Sequence, residues 1–335
     1  MSDDHDDRPA VTPPTDGLAV GPHGTDDSRS GATALAVADD IRVRGLTTGY
    51  ADRRVIERLD CTIPGGSVTA IVGANACGKS TLLRAIAQLI PSDGEVALGD
   101  TVLTGLSSRE TARRIGFLPQ SPTPPEGLTV EELVSRGRFP HLRFGRRPSA
   151  HDRERVAWAL RATATDVLAE RPLEALSGGQ RQRVWIAMAL AQDTGVLLLD
   201  EPTTYLDLAH QLDVLELLRE LNAQDGRTVV MVLHDINQAC RYADHLIAMK
   251  DGAVIASGPP AEIVDAELVS TVLDVRARIV PDPVTGTPML VPEAQASRAR
   301  ARTTSPIRPG AIPPLDASGS PAPEADAPTT EGPTR

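Results

Sequence analysis

The chain is expected to fold as an α/β protein, a sheet with helices packed on it and one helical segment inserted. Three observations predict this. Short β-rich runs alternate with helical patterns between residues 41 and 292, the order that lays helices on a sheet. A glycine-containing loop, Gly73 to Ser80, joins one such run to a helix. From Ser121 to about Leu176 the texture changes to a Pro-rich opening, SPTPPEG, then helical segments VEELVSRGR and DRERVAWALRATA with no strong strand between them.

Taken in order, the expected elements are a strand over Ser67–Val72, a helix over Lys79–Ile90 and a strand over Ile115–Leu118. After the helical insertion, spanning about residues 121–176, come a helix over Gln180–Ala191, a strand over Val196–Leu199 and a helix over Leu206–Gln224. A strand over Thr228–Leu233, a helix over Ile236–Tyr242 opened by Asp235 as a plausible cap, and a strand over His245–Met249 follow.

The totals agree with one large globular domain flanked by tails. Of 335 residues, 41% are apolar and 24% charged, with only 2% aromatic, so the core is packed with Leu, Ile, Val and Ala. Residues 1–40 carry net −7 and residues 293–335 net 0 of a total of −11, which leaves a mildly acidic −4 for the body at 41–292. Both tails are rich in Pro, Ser, Thr, Gly and Ala, a composition that predicts disorder. Cys61, Cys77 and Cys240 show no paired spacing, so neither a disulfide framework nor a zinc site is indicated. The longest apolar runs, Val196–Leu199 and Val229–Leu233, are strand-sized, far short of the roughly 20 residues of a membrane-spanning helix. The opening MSDDHDDRPA lacks the basic and then apolar order of a secretory signal.

Gly73-Ala74-Asn75-Ala76-Cys77-Gly78-Lys79-Ser80 fits the phosphate-loop pattern G-x-x-x-x-G-K-[ST] between the strand SVTAIV and the helix KSTLLRAIAQLI. Gly73 and Gly78 let successive N–H groups face one phosphate chain at a helix N-terminus. Lys79 is expected to reach the β and γ phosphates and the Ser80 hydroxyl to bind Mg²⁺. The run Val196–Leu199 ends in Asp200-Glu201-Pro202, two acids at a strand's C-terminal end, where α/β sheets place ligand chemistry. Asp200 is expected to support the metal and Glu201 to polarise the attacking water as general base.

Those motifs establish a nucleotide hydrolase without naming its class. The segment Leu176-Ser177-Gly178-Gly179-Gln180, 23 residues from Ser177 to Asp200, decides it. The sequence here resembles the ABC ATPase family, whose signature reads LSGGQ, and the resemblance covers roughly Ile41 to Pro292. It implies an ABC-type phosphate-loop ATPase with a RecA-like core, an antiparallel β subdomain and an inserted helical subdomain. It further implies ATP and Mg²⁺ as ligands, with Gly73, Asn75, Cys77, Gly78, Lys79, Ser80 and Thr81 binding the nucleotide. Ser177, Gly179 and Gln180 would face the ATP of a second subunit.

The remaining family positions match in order. Tyr50, 23 residues before Gly73, corresponds to the aromatic that stacks on adenine. Gln120 corresponds to the glutamine that touches Mg²⁺ and the water. Asp207 matches the loop that contacts the opposite subunit, and a helix N-cap role is compatible with that. His234 matches the histidine that senses the γ-phosphate. Cys77 has no base or partner acid in evident reach and reads as packing within the loop rather than as a nucleophile. The loop departs from the commonest family form, GPNGCGKS, at Ala74 and Ala76. A positive φ at Ala76 would cost about 1 kcal/mol, with activity expected to survive.

Within the family, RQRVWIAMALAQDTGVLLLDEPTTYLDLAHQLDVLELL, Tyr205 in TTYLD, the GRFPH segment at Gly137–His141 and the stretch from Ile279 to Pro288 look like ATPases of ferric siderophore importers. Haem and vitamin B12 importers are the near alternatives, and an exporter ATPase is a further rival. The implied partners are a second copy in a head-to-tail ATP sandwich, integral membrane permease subunits and, indirectly, a solute-binding protein, at the cytoplasmic face of the cell membrane. A soluble ABC ATPase acting on DNA or ribosomes usually needs a second cassette or a long coiled coil, and a basic surface. This chain has one LSGGQ, no heptad stretch and an acidic body, so no nucleic-acid partner is expected.

Overall fold

The computed structural model describes residues 39–51, 53–122, 126–142 and 147–293. The tails expected to be disordered therefore lie almost wholly outside the described residues, as does the middle of the SPTPPEG stretch.

The described chain opens on β1 (Ile41–Tyr50), β2 (Arg53–Ile63) and β3 (Val68–Gly73), followed by α1 (Lys79–Ile86). β4 (Ser92–Leu98), β5 (Thr101–Val102), α2 (Ser108–Ala112) and β6 (Ile115–Leu118) come next. The inserted segment holds α3 (Val130–Ser135) and α4 (Ala150–Ala162), and leads into α5 (Gly178–Ala191). Then follow β7 (Val196–Leu199), α6 (Leu208–Asp225), β8 (Thr228–Val232), α7 (Ile236–Tyr242), β9 (His245–Lys250) and β10 (Ala253–Gly258). Two short helices, α8 (Pro260–Ile263) and α9 (Ala266–Leu273), precede a closing hairpin of β11 (Ala277–Pro281) and β12 (Pro288–Pro292).

The central six-stranded sheet runs β10-β9-β3-β8-β7-β6, with β9, β3, β8, β7 and β6 parallel and β10 antiparallel at one edge. Successive side chains enter opposite cores: Val229 and Met231 on one face, Val230 and Val232 on the other. Both faces are covered, which is why these strands are continuous apolar runs rather than alternating ones. One face meets α5, α6, α7 and the insertion helices; the other meets α1 and a separate antiparallel sheet of order β2-β1-β4-β5. The fold is thus the predicted α/β core with an antiparallel subdomain and inserted helices.

Four helices in succession, α2 to α5, start with a reciprocal capping box. The pairs are Ser107 with Glu110, Thr129 with Glu132, Ser149 with Asp152 and Ser177 with Gln180. α3 and α4 pack on α5 through Val130, Leu133, Val134, Val156, Ala159 and Leu160. The insertion is pinned at the far end of α5 by Arg138, whose Nε lies 2.9 Å from Asp152 Oδ1 and whose Nη1 donates to the Ala191 carbonyl at 2.8 Å.

Of the boundaries that differ from expectation, three have clear local reasons. α1 stops at Ile86, not Ile90, because Gln88 turns left-handed at φ 56°. α5 begins two residues early, at Gly178, because Ser177 is its cap, and α6 begins at Leu208 because Asp207 is its cap.

Candidate active site

The carboxyl ends of four parallel strands converge on one region of the core sheet. β3 runs into the phosphate loop, β6 leads to Gln120, β7 to Asp200 and Glu201, and β8 to His234. A cleft of about 430 Å³ opens there, walled by Tyr50, Arg53, Val55 and Glu201, with Asn75, Ala76 and Gly78 to Thr81 beneath. The structure therefore brings the loop residues, Tyr50 and Glu201 around one space.

The loop's glycines have identifiable causes. A side chain at Gly73 would meet the Met249 carbonyl oxygen at 2.2 Å, and Gly78, at φ 108°, sits at the N-cap of α1. With glycine as cap, no side chain satisfies the first N–H groups of α1 and no acid lies in its first turn, which leaves a helix terminus suited to an anion. Lys79 is buried and its ammonium donates to the carbonyls of Gly73 and Ala74, each at 2.9 Å. Cys77 is buried, with Sγ 4.0 Å from Lys79 Nζ, and its carbonyl accepts from Gly252 N–H. It packs the loop as expected. Ala76 does take the left-handed conformation, φ 62°.

The acids divide into two differently tuned groups. Asp200 is fully buried and accepts from Ser80 Oγ at 2.6 Å. Burial pushes its carboxyl above the ordinary range, against the lowering effects of Ser80 and Arg84. A buried carboxylate beside a hydroxyl is a hard oxygen set that fits a divalent cation such as Mg²⁺, whose charge would offset the same desolvation.

Glu201 is also buried, in a left-handed backbone conformation at φ 54°. Burial would raise its carboxyl, but hydrogen bonds from His234, Thr204 and Gln120, with the His234 charge, prevail and hold it below the usual glutamate range. Those three donors, His234 Nε2 at 2.6 Å, Thr204 Oγ1 at 3.0 Å and Gln120 Nε2 at 2.5 Å, all reach Oε2. None of these three goes to Oε1.

Ser177, Gly179, Gln180 and Asp207 form a second group whose side-chain bonds stay within it or reach His210. Ser177 Oγ accepts from Gln180 N–H while Gln180 Oε1 accepts from Ser177 N–H, each at 3.2 Å, and Asp207 caps α6.

Arg84, Thr204, Arg53 and His210 escaped the sequence reading. Arg84 donates to Tyr50 Oη at 3.0 Å and approaches Asp200 Oδ2 at 3.3 Å. It lies four residues after Ser80 on α1, hence on the same helix face, and that spacing was the available signal. Thr204, three residues after Glu201, and Arg53, on the cleft wall, carried no motif.

This fold and loop define a phosphate-loop ATPase of the cassette type. The ABC transporter family model matches residues 56–204. The achromobactin transport ATP-binding protein of Dickeya dadantii (strain 3937) is 54% identical over 75% of this chain and 94% of its own length. The ferric enterobactin transport ATP-binding protein of Escherichia coli (strain K12) is 51% identical over 78% of this chain and 98% of its own. A solved dimeric structure of a bacterial ABC transporter cassette superposes with TM-score 0.57 at 32% identity, over 65% of this chain and 98% of that one. The chain belongs to the ABC transporter family as an ATP-binding, ATP-hydrolysing subunit.

Proposed function

We propose that this ATPase energises an importer of iron-siderophore complexes. The observation that carries it is similarity along nearly the whole length of two siderophore-transport ATP-binding proteins, at 54% and 51% identity. Its partners on this reading are a second copy of the chain, integral membrane permease subunits and, through them, a solute-binding protein, with the ATPase held at the cytoplasmic membrane face. No helix among the described residues is long and apolar enough to cross a membrane, which suits a subunit that borrows its path from a permease.

The geometry supports the following roles for the site. Tyr50 stacks the adenine, the loop N–H groups and Lys79 hold the phosphates, and Ser80, Gln120 and Asp200 would hold Mg²⁺, which would supply charge neutralisation on the phosphates. Lys79 exchanges its two loop carbonyls for phosphate oxygens. Glu201, ionised, aligns a water through Oε1. As the water oxygen bonds to the γ-phosphorus and the bond to the β–γ bridging oxygen breaks, the water proton passes to Oε1. Gln120 and His234 fix Oε2 and so aim the base. Ser177 and Gly179 of each copy close over ATP held by the other.

The test is uptake of labelled ferric siderophores, haem and cobalamin by a strain lacking this protein, complemented with the native chain or with Lys79→Ala. Loss of ferric siderophore uptake, restored only by the native chain, is expected. Undiminished ferric siderophore uptake with loss of another solute would overturn the iron assignment in favour of haem or cobalamin.

A further inference from the structure

The signature turn at Ser177–Gln180 and the loop carrying Asp207 meet within one chain on the same side chain, that of His210. We infer that His210 is a positioning residue that sets the placement of one loop against the other, so that both reach a second copy of the chain together. This rests on the sandwich reading above.

Two independent contacts carry it. On the Asp207 side, the His210 backbone N–H donates to Asp207 Oδ1 at 3.0 Å and ring Nδ1 lies 2.6 Å from the same oxygen. These bonds, the backbone one first, hold the Asp207 carboxyl below its ordinary range. An ionised carboxylate only accepts, so Nδ1 bears the proton and the ring orientation is fixed. On the signature side, the ring lies against Gly179. A Cβ built there would stand 2.4 Å from His210 Cδ2, 2.9 Å from Cγ and 3.0 Å from Nε2. At neighbouring Gly178 a Cβ would meet nothing within 4 Å.

Gly179 is absent from the glycines of positive φ, so its backbone does not demand glycine; the imidazole does. Space for His210 thus gives Gly179 a reason to be glycine within its own chain. The contact also crosses a seam. Gly179 opens α5, which carries the insertion helices, while His210 lies in the first turn of α6, which covers the core sheet. A shift of the insertion that moved Gly179 away from Asp207 would have to break the ring contact or carry the Asp207 loop with it.

The experiment uses the full-length chain in a Glu201→Gln background, with ATP and Mg²⁺, and measures the dimer dissociation constant by light scattering across protein concentration. Fluorescent-nucleotide affinity is measured separately on dilute monomer. His210→Ala is expected to weaken the dimer about tenfold, the loss of roughly one charge-assisted hydrogen bond, while monomer nucleotide affinity stays within twofold. His210→Asn, which retains a donor for Asp207, should recover part of the loss. Gly179→Ala should cost less in the His210→Ala background than alone, because the clash is gone. An unchanged dimer constant, strict additivity of Gly179→Ala and His210→Ala, or an equal loss of monomer affinity would each overturn the positioning role. A Glu201→Gln parent that stays monomeric with ATP overturns the sandwich itself and the inference with it, an outcome read before any His210 variant is compared.

Discussion

His234 Nε2 lies 2.6 Å from Glu201 Oε2, at the ends of strands β8 and β7, which run side by side in the sheet. Because Glu201 is held below the usual glutamate range, its carboxylate accepts and His234 donates. A carboxyl whose pKa is depressed keeps its basic form until the pH falls below the ordinary value, about 4.3. Removing His234 takes away the largest lowering contribution and leaves burial to act, so the carboxyl rises. His234→Ala should lower the single-turnover hydrolysis rate on the order of 10²-fold and move the acid limb of its pH profile upward. A lower rate with an unmoved acid limb would show that His234 acts elsewhere than on Glu201.

Arg84 ties the Tyr50 side of the cleft to the acid side through Tyr50 and Asp200. Asp200 is already pushed up by burial, and the guanidinium works against that. Arg84→Ala removes a positive charge that competes with Mg²⁺ for Asp200 and should therefore lower the Mg²⁺ concentration for half-maximal hydrolysis roughly fivefold, given that the side chain is partly solvated and its bond screened. That gain should shrink as pH falls, since without the guanidinium the Asp200 carboxyl rises further and its protonation competes with Mg²⁺. Arg84→Lys, keeping charge but not the forked reach, should restore Mg²⁺ dependence while leaving KM for ATP a few-fold high. Identical Mg²⁺ titrations for native and Arg84→Ala proteins would rule the link out.

What the sequence shows of this protein follows a physical boundary. β6 and β7 are legible to the residue because they are short apolar runs covered on both faces, and α7 because Asp235 caps its start. β1, β2 and β4 were not resolved as separate strands. One side of their sheet faces solvent, and RRVIERLDCTI alternates only loosely as bulges shift its register against β1. The loop, the signature and the Asp-Glu pair are local in sequence and so legible. Arg84 with Asp200 is a contact across 116 residues, set by where α1 lies against β7; the four-residue step from Ser80 marks the face of α1 but not the partner. His210 against Gly179 is hidden for the same reason.

The insertion hangs on a buried pair. The side chain of Arg138 is 4% exposed and that of Asp152 11%, with Nε to Oδ1 at 2.9 Å. Burial would raise Asp152, but hydrogen bonds from Ser149 and then Arg138 lower it to about 2. Its contribution to stability is present above the unfolded value, near 3.9, and is lost as pH falls through about 2. Arg138→Met strands the carboxylate and should cost about 3–5 kcal/mol, a fall in Tm on the order of 10 °C by circular dichroism at neutral pH. Asp152 would then titrate upward, so the native-to-variant difference in Tm should narrow at pH 3. A Tm within 2 °C of native at neutral pH would mean that the pair holds nothing together.

Ala76 is the phosphate-loop residue with the least structural reason for being what it is. It is exposed, its φ is 62°, and a left-handed L-residue costs about 1 kcal/mol. Ala76→Gly removes that strain but gives the unfolded chain more freedom, a cost of roughly 0.5–1 kcal/mol. The net change in stability should lie between zero and about 0.5 kcal/mol of gain, with ATP affinity within twofold of native. Ala76→Val places a β-branched side chain in the same conformation, where its Cγ atoms crowd the backbone. It should destabilise by more than 1 kcal/mol in urea unfolding and weaken ATP binding, because relaxing φ turns loop N–H groups away from the phosphates. If Val is tolerated as well as Gly, the loop does not depend on a left-handed residue at this position, and its phosphate grip must come from Lys79 and the α1 terminus alone.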